Sequence, residues 1–450
     1  MKRDDDNNSD NKDAMDPKGL TRRSMLMTSL FGSGLVGLRA LATGIPAAVL
    51  LNPRKAAADV GCAANPNAQY IIFSSSGNGD PLNANVPGTY DFADISHSQD
   101  PLMAPTPMSI GGKMVTAARP WASLPQSVID RTCFFHHGTY TVVHPDITKV
   151  LKLENAVSRQ EMLVSLLAKN LAPCLGTVQN EPISLGPTIT YGGRPQPVLR
   201  PTALASLLAS PAGALGRLQK LRDADLDRLN AIYRAEGTPQ QRSFLDRYAL
   251  SQSQARGVSE SLIATLQGIK DNSSASQTTA ALTLIRMNVT PVVGLNIPFG
   301  GDNHTDTLLA GEAAQTIAGV NTIASLMAQL AATGMQDRVT FMTLNVFGRT
   351  LVNSDNGRNH HGDHHVMVLI GKPFKGSVIG GVESANRDYR ATSIDSVTGA
   401  SVAAGRGNVA FSQTLAAVGK TVGVAAGVDR TVLDANITGG QVIQGALAGG

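Results

Sequence analysis

A chain of 450 residues has room for one large α/β domain or two ordinary ones, and 42% hydrophobic with 16% charged residues excludes disorder as its general state. The formal charge of +4 sits mostly at the start: residues 1–58 hold nine of the 38 Lys/Arg and six of the 34 Asp/Glu, leaving 29 against 28 for the remainder. A body so near neutrality has no general pull on a polyanion, so nucleic acid is not an expected partner.

Residues 1–19 are acidic and Asn-rich, lack apolar periodicity and are predicted to be disordered. Thr21-Arg22-Arg23-Ser24-Met25-Leu26 has the form of a twin-arginine export motif. An apolar stretch over 25–51 follows, then Arg54, Lys55 and the small-residue cleavage site Ala56-Ala57-Ala58. We read 1–58 as a disordered start plus a twin-arginine signal peptide cut after Ala58, and 59–450 as a single domain. The twin-arginine export machinery is then a partner, and the destination is periplasmic or extracellular. The stretch over 25–51 is also long enough to act as a membrane anchor, so the membrane becomes a partner if the leader is retained. Of the three cysteines, Cys62, Cys133 and Cys174, the last two are candidates for a disulfide or for two buried small apolar side chains.

The spacing predicts a short buried strand over 70–73 and a flexible turn over 74–79, with Asp80 at its far end. A carboxylate just past the end of an α/β strand is placed to hold a metal or a phosphoryl group, or simply to stabilise its own turn. Residues 83–128 read as an irregular excursion containing the lone tryptophan, Trp121. A second strand over 128–135 empties into His136, His137, Thr139, Thr141 and His144, a candidate half-site. Helix is predicted over 158–171, loop over 183–200, and a helical insertion at about 201–270. A polar linker over 272–276 precedes a helix over 278–287. A strand over 291–297 is followed by Gly300-Gly301 and then by Asp302, His304 and Asp306, whose carboxylates and imidazole reach one metal if the turn bends. A long helix over 310–334 comes next.

The densest chemistry lies in FGRTLVNSDNGRNHHGDHH, residues 347–365, between two apolar strand-like runs, VTFMTLNVF and VMVLIG. Four of the nine histidines, His360, His361, His364 and His365, fall within six residues there, with Arg349, Asp355, Arg358 and Asp363 close by. Imidazole with carboxylate binds divalent first-row metals, and a polar loop on the rim of a buried sheet is where α/β enzymes carry their chemistry. A solvated loop that picks up metal adventitiously is the bland alternative. Beyond 381 a closing strand and a helix over 411–418 are expected.

Taken together, GNGDPLNANVP after the first strand, GGDNH after a later one and FGRT…NGRNHH resemble an exported bacterial family, domain of unknown function 1501, placed in the alkaline phosphatase and sulfatase-like superfamily. The likeness runs from about 70 to 381. It implies an α/β fold with a doubly wound, mostly parallel sheet flanked by helices and metal-binding loops at the strand C-terminal ends. It also implies hydrolysis of a small anionic ester, phosphate or sulfate, by one or two divalent metals (Zn, Ca, Mg or Mn) and a hydroxyl-type nucleophile. By position, Asp80 would be the first metal carboxylate and Asp302 with His304 the second cluster. His360, or Asp363 with His364, would complete the set, and Arg349 or Arg358 would clamp an anionic oxygen. Two positions depart from the pattern: Asn359 replaces an aspartate before His360, and Val143 stands where a hydroxyl is expected. Thr139 or Thr141 is the remaining hydroxyl near His144, so Thr141, His144 and Arg349 are the catalytic candidates. A non-catalytic relative that keeps a metal, and a surface protein anchored by its leader, are the alternatives.

Overall fold

The computed structural model describes residues 65, 67–177, 179–208, 224–225, 227–228, 231–232, 234–236, 264–266, 268–352 and 357–449. The segment expected to be an export leader, Cys62, Asp355 and most of the expected helical insertion lie outside the described residues, apart from a helix at Pro201–Leu208.

Seven strands form the central sheet: β1 (Tyr70–Ser74), β2 (Thr132–His137), β3 (Ile183–Ser184), β4 (Val292–Leu295), β5 (Val339–Thr343), β6 (His365–Ile370) and β7 (Ser377–Ile379). Their spatial order is β7-β2-β6-β5-β1-β4-β3. All neighbouring pairs are parallel except the two made by β6, which runs against both β2 and β5. The chain is therefore mixed α/β with a mostly parallel sheet. The reversal matters for the site: the start of β6 lies on the same edge as the ends of β1, β2, β4 and β5, with His365 registered against His137.

The strands are nearly continuous apolar runs because both faces of the sheet are covered. Alternate residues feed two cores. Tyr70, Ile72, Phe134, Val293 and Phe341 belong to one core with residues of α3 (Ser274–Arg286) and α4 (Ala310–Ala332). Ile71, Phe73, Phe135, Val292 and Met342 belong to the other, with α2 (Leu163–Leu175) and α5 (Thr414–Ala425). The short helix α1 (Leu82–Asn85) follows the turn at Asp80.

Several expectations shift. The first strand, the strand at 292 and the long helix fall where their patterns place them. The segment read as irregular over 83–128 contains an antiparallel hairpin, Pro105–Ile110 with Lys113–Ala118. Its strand signal was masked by Pro105 and Pro107, which an edge hairpin tolerates. The predicted linker over 272–276 ends sooner, because α3 starts at Ser274, capped by the Ser273 side chain, which accepts from the Ser276 amide. Cys133 is free and buried, and Cys174 is disulfide-bonded, so these two do not pair. Among the described residues, no helix is long and apolar enough to cross a membrane.

Candidate metal centre

Three loops on one edge of the sheet supply the centre. The first follows β2. There the strand continues through His136 and His137 into the core, so the expected half-site splits: these two are buried and only His144 reaches the edge. The second follows β4, where Gly300 and Gly301 adopt left-handed backbone and turn the chain into Asp302 and His304. The third runs between β5 and β6, where Gly348–Arg349 pairs with His360–His361 as a two-residue ribbon.

Glycine holds two of these loops together. Gly357 has φ 110°, and a Cβ there would stand 2.6 Å from the Asn303 carbonyl oxygen and 2.9 Å from that of His304. Only a residue without a side chain lets the histidine-rich loop lie against the Asp302–His304 turn. A Gly357→Ala variant should therefore part the two halves of the centre and weaken metal affinity on the order of ten- to hundred-fold. Titrating a divalent metal into both proteins checks this, and equal affinities would count against the packing argument.

His144, Asp302, His304 and His360 each aim one ligand atom at a common point, all within 4.8 Å of one another. His304 Nε2 lies 2.6 Å from His360 Nε2, and the Asp302 carboxylate lies 3.3 Å from His304 Nε2 and 3.8 Å from His144 Nε2. Outer contacts orient the rings. His144 Nδ1 donates to the Gly77 carbonyl at 2.7 Å, and His360 Nδ1 donates to that of Val142 at 2.7 Å. A carbonyl can only accept, so each of these rings carries its hydrogen on Nδ1 and, when neutral, turns the Nε2 lone pair inward. The Phe347 ring packs against His144 and His360 at centroid distances of 5.0 and 4.4 Å, closing the apolar side of the centre.

Arg349 is fully buried and donates to Asp302 at 2.9 Å and to the Asn78 carbonyl at 2.7 Å. Burial pushes the Asp302 carboxyl up, but the hydrogen bond and charge of Arg349, with His304 and His144, outweigh it and hold the group below the usual carboxylate range. Burial lowers His360, against the hydrogen bond to Val142, and the Arg349 charge adds to the lowering. Near neutral pH the centre therefore presents an ionised carboxylate and a neutral His360, the forms that bind metal.

A buried ion pair braces this arrangement, and sequence reading passed over it. Glu312, in the first turn of α4, accepts from Arg358 Nε at 2.7 Å, from Asn303 Nδ2 at 3.1 Å and from Asn85 Nδ2 at 2.8 Å. Arg358 also donates to the carbonyls of Thr350 at 2.7 Å and Leu351 at 2.8 Å. Arg358 is thus consumed by a structural network and is no clamp for an anionic oxygen. The available signal was a lone acidic residue in the otherwise uncharged helical stretch AGEAAQTIAG.

The other expected site residues are placed as follows. Asp80 lies outside the four-residue group: its Oδ1 accepts from the Leu82 amide at 3.0 Å and faces His365 Nε2 at 3.5 Å. It nevertheless lines the same cavity as Asp302. His364 is buried away from the group, 2.9 Å from His136 Nδ1 and 3.3 Å from Asn83 Nδ2, because β6 pulls it under the sheet edge. Asp363 is half-buried beside it and outside the group, its carbonyl taken by the Ala391 amide. The Thr141 hydroxyl donates to Asp146 at 2.6 Å and that of Thr139 to the Gly362 carbonyl at 3.4 Å. Val142 and Val143 form an exposed apolar lip. His144, expected as a catalytic candidate, stands inside the metal-capable group.

Residues 180–394 match the family model described as "Protein of unknown function (DUF1501)". The match supports the DUF1501 family for this chain. It spans Asp302, His304, Arg349 and His360, whereas Asp80 and His144 precede it. No curated protein matches the chain.

Proposed function

We propose that this chain is an exported, metal-dependent hydrolase of small anionic esters, phosphate or sulfate, with one divalent cation held by His144, Asp302, His304 and His360. The observation that supports it is the convergence of three imidazoles and one carboxylate, all partly solvent-accessible, with the carboxylate of Asp302 also lining a cavity. Three nitrogens and one oxygen suit zinc or a similar first-row ion better than calcium or magnesium, which favour oxygen. When bound, such an ion supplies Lewis acidity and an activated water. The chain's own groups do the rest: Arg349 orients Asp302, and the carbonyls of Gly77 and Val142 set the histidine tautomers. The Thr141 hydroxyl serves its own turn, so water is the expected nucleophile.

Elemental analysis of the purified protein tests this together with turnover of p-nitrophenyl phosphate and sulfate. One equivalent of metal is expected, with both metal and turnover lost in His304→Ala. Less than one equivalent and no turnover would end the proposal.

A second reading is favoured by one observation: four protein ligands fill a tetrahedral ion, as in sites that stabilise rather than catalyse. On that reading His304→Ala lowers thermal stability with no activity to lose. An uncleaved leader would instead make the chain a membrane-anchored surface protein, which the mass of the native N-terminus decides.

A further inference from the structure

The stretch from Thr139 to Asp146 gives the metal-capable group more than its one ligand, His144. At its start the Thr139 and Tyr140 amides both donate to the Gly362 carbonyl, at 2.7 and 2.8 Å. Gly362 lies so close here that a Cβ on it would stand 2.5 Å from the Thr141 carbonyl oxygen. Past Thr141 packing holds the chain much less. Val142 and Val143 are 51% and 48% exposed, so little buried apolar surface fixes them. Hydrogen bonds do it instead, and two of them meet at the Thr141 hydroxyl. The Thr141 side chain is buried, and its Oγ1 donates to the Asp146 carboxylate at 2.6 Å and accepts from the Val143 amide at 3.2 Å. The Val143 carbonyl accepts from the Asp146 amide at 2.9 Å and closes the same turn. One hydroxyl thus ties both ends of the turn that contains His144.

We propose that Thr141 is a positioning residue for two of the four metal-capable ligands, His144 and His360. Its reach to His144 is direct, because His144 lies between the Val143 amide and the Asp146 carboxylate that the hydroxyl joins. Its reach to His360 runs through Val142, whose carbonyl accepts from His360 Nδ1 at 2.7 Å. Val142 stands between Thr141 and the tied Val143 amide, so the hydroxyl fixes where that carbonyl points. The carbonyl keeps a hydrogen on Nδ1 and leaves the Nε2 lone pair for a metal. Asp302 and His304 come from the loop after β4 and make no bond to this hydroxyl. The purpose of the arrangement rests on the metal-centre reading, whereas the ring orientations it sets exist without metal.

Thr141→Val keeps the shape of the side chain and removes the hydroxyl, while Thr141→Ser keeps the hydroxyl. Titration of the full mature protein with zinc should show affinity about ten- to hundred-fold weaker in Thr141→Val and near the parent's in Thr141→Ser. The Asp146 side chain is 33% exposed, so Asp146→Ala is expected to fold even if Thr141→Val does not. It removes the acceptor of the same hydroxyl and should weaken zinc in the same direction. Nitrogen-15 NMR of the metal-free proteins at about pH 8, where imidazole is neutral, reads the rings directly. The parent should carry hydrogen on Nδ1 of His144 and His360, and in Thr141→Val the His360 signals should move toward the Nε2–H form. Ring signals that stay in place in both Thr141→Val and Asp146→Ala would overturn the proposal, even if those proteins were less stable. In a parent that binds zinc, an affinity indifferent to both changes, or one lost equally in Thr141→Ser, would overturn it too. A parent that binds no zinc would remove the metal-centre reading alone, and the NMR result would still decide whether Thr141 sets the rings.

Discussion

Replacing Glu312 with alanine is expected to destabilise the protein by about 3–5 kcal/mol, the cost of leaving one charge of a buried pair without its partner. Both side chains of the Glu312–Arg358 pair are fully buried, so solvent does not screen the loss. The carboxylate also takes hydrogen bonds from Asn85 and Asn303, and those amides would lose their acceptor in the same step. The consequence reaches the centre through the backbone. Arg358 fastens Thr350 and Leu351, just after Arg349, and Asn303 sits between Asp302 and His304. Urea unfolding of metal-free protein gives the stability change directly. Metal titration of the surviving folded fraction should show weaker binding as well. Glu312→Gln keeps the shape and some hydrogen bonds, so it should fall between the two. A Glu312→Ala protein within 1 kcal/mol of the parent, roughly the scatter of surface substitutions, would show that the pair does not brace the loops.

Mild acid should unfold the protein steeply. Three histidines of the sheet edge are buried in the neutral form: burial lowers His136 to about 4 and His137 to about 3, and His364 well below its ordinary value. His97, stacked on Tyr90, is lowered by burial to about 4 as well. The unfolded chain protonates each of them near 6.5, so it binds more protons than the folded chain below that pH. Stability is therefore complete above about pH 6.5 and falls as the pH drops through the window down to about 4 or 3. Each group contributes up to about 1.4 kcal/mol per pH unit in that window. From pH 7 to pH 5 the three sheet-edge histidines together would remove roughly 5 kcal/mol. Carboxylates are still largely ionised at pH 5, so this range isolates the imidazoles. Urea midpoints of the metal-free protein at several pH values provide the check, with His137→Gln expected to shallow the slope by about one group's share. A stability that stays flat between pH 7 and pH 5 would mean that these rings accept protons without unfolding.

How much of this was legible beforehand depended on the kind of signal. The continuous apolar runs at 70, 292, 339 and 365 marked strands buried on both faces, and that pattern is local. The long helix before 339 declared itself by length and apolar spacing. The chemistry of the centre was also visible as residue types: Asp302, His304 and His360 were candidates because carboxylate and imidazole beside glycine turns rarely serve packing alone. What could not be read was the sorting among nine histidines. His360 and His364 differ by four positions, yet one joins the metal-capable group and the other is buried against His136. That division follows from where β6 begins and from its running against its neighbours, a pairing fixed by contacts far apart in sequence.

The sequence by itself determined the two-faced α/β sheet, the loops that carry polar chemistry and the presence in them of residue types able to hold a metal, because each is written in short-range spacing and side-chain type. Only the tertiary structure decided that His144 joins Asp302, His304 and His360, that Asp80 turns to His365, and that Glu312 locks Arg358. Those partners are separated by between 46 and 285 positions in the chain and meet only where strand ends and helix starts share one edge. Convergence of that kind is set by strand order and direction, which local spacing does not encode.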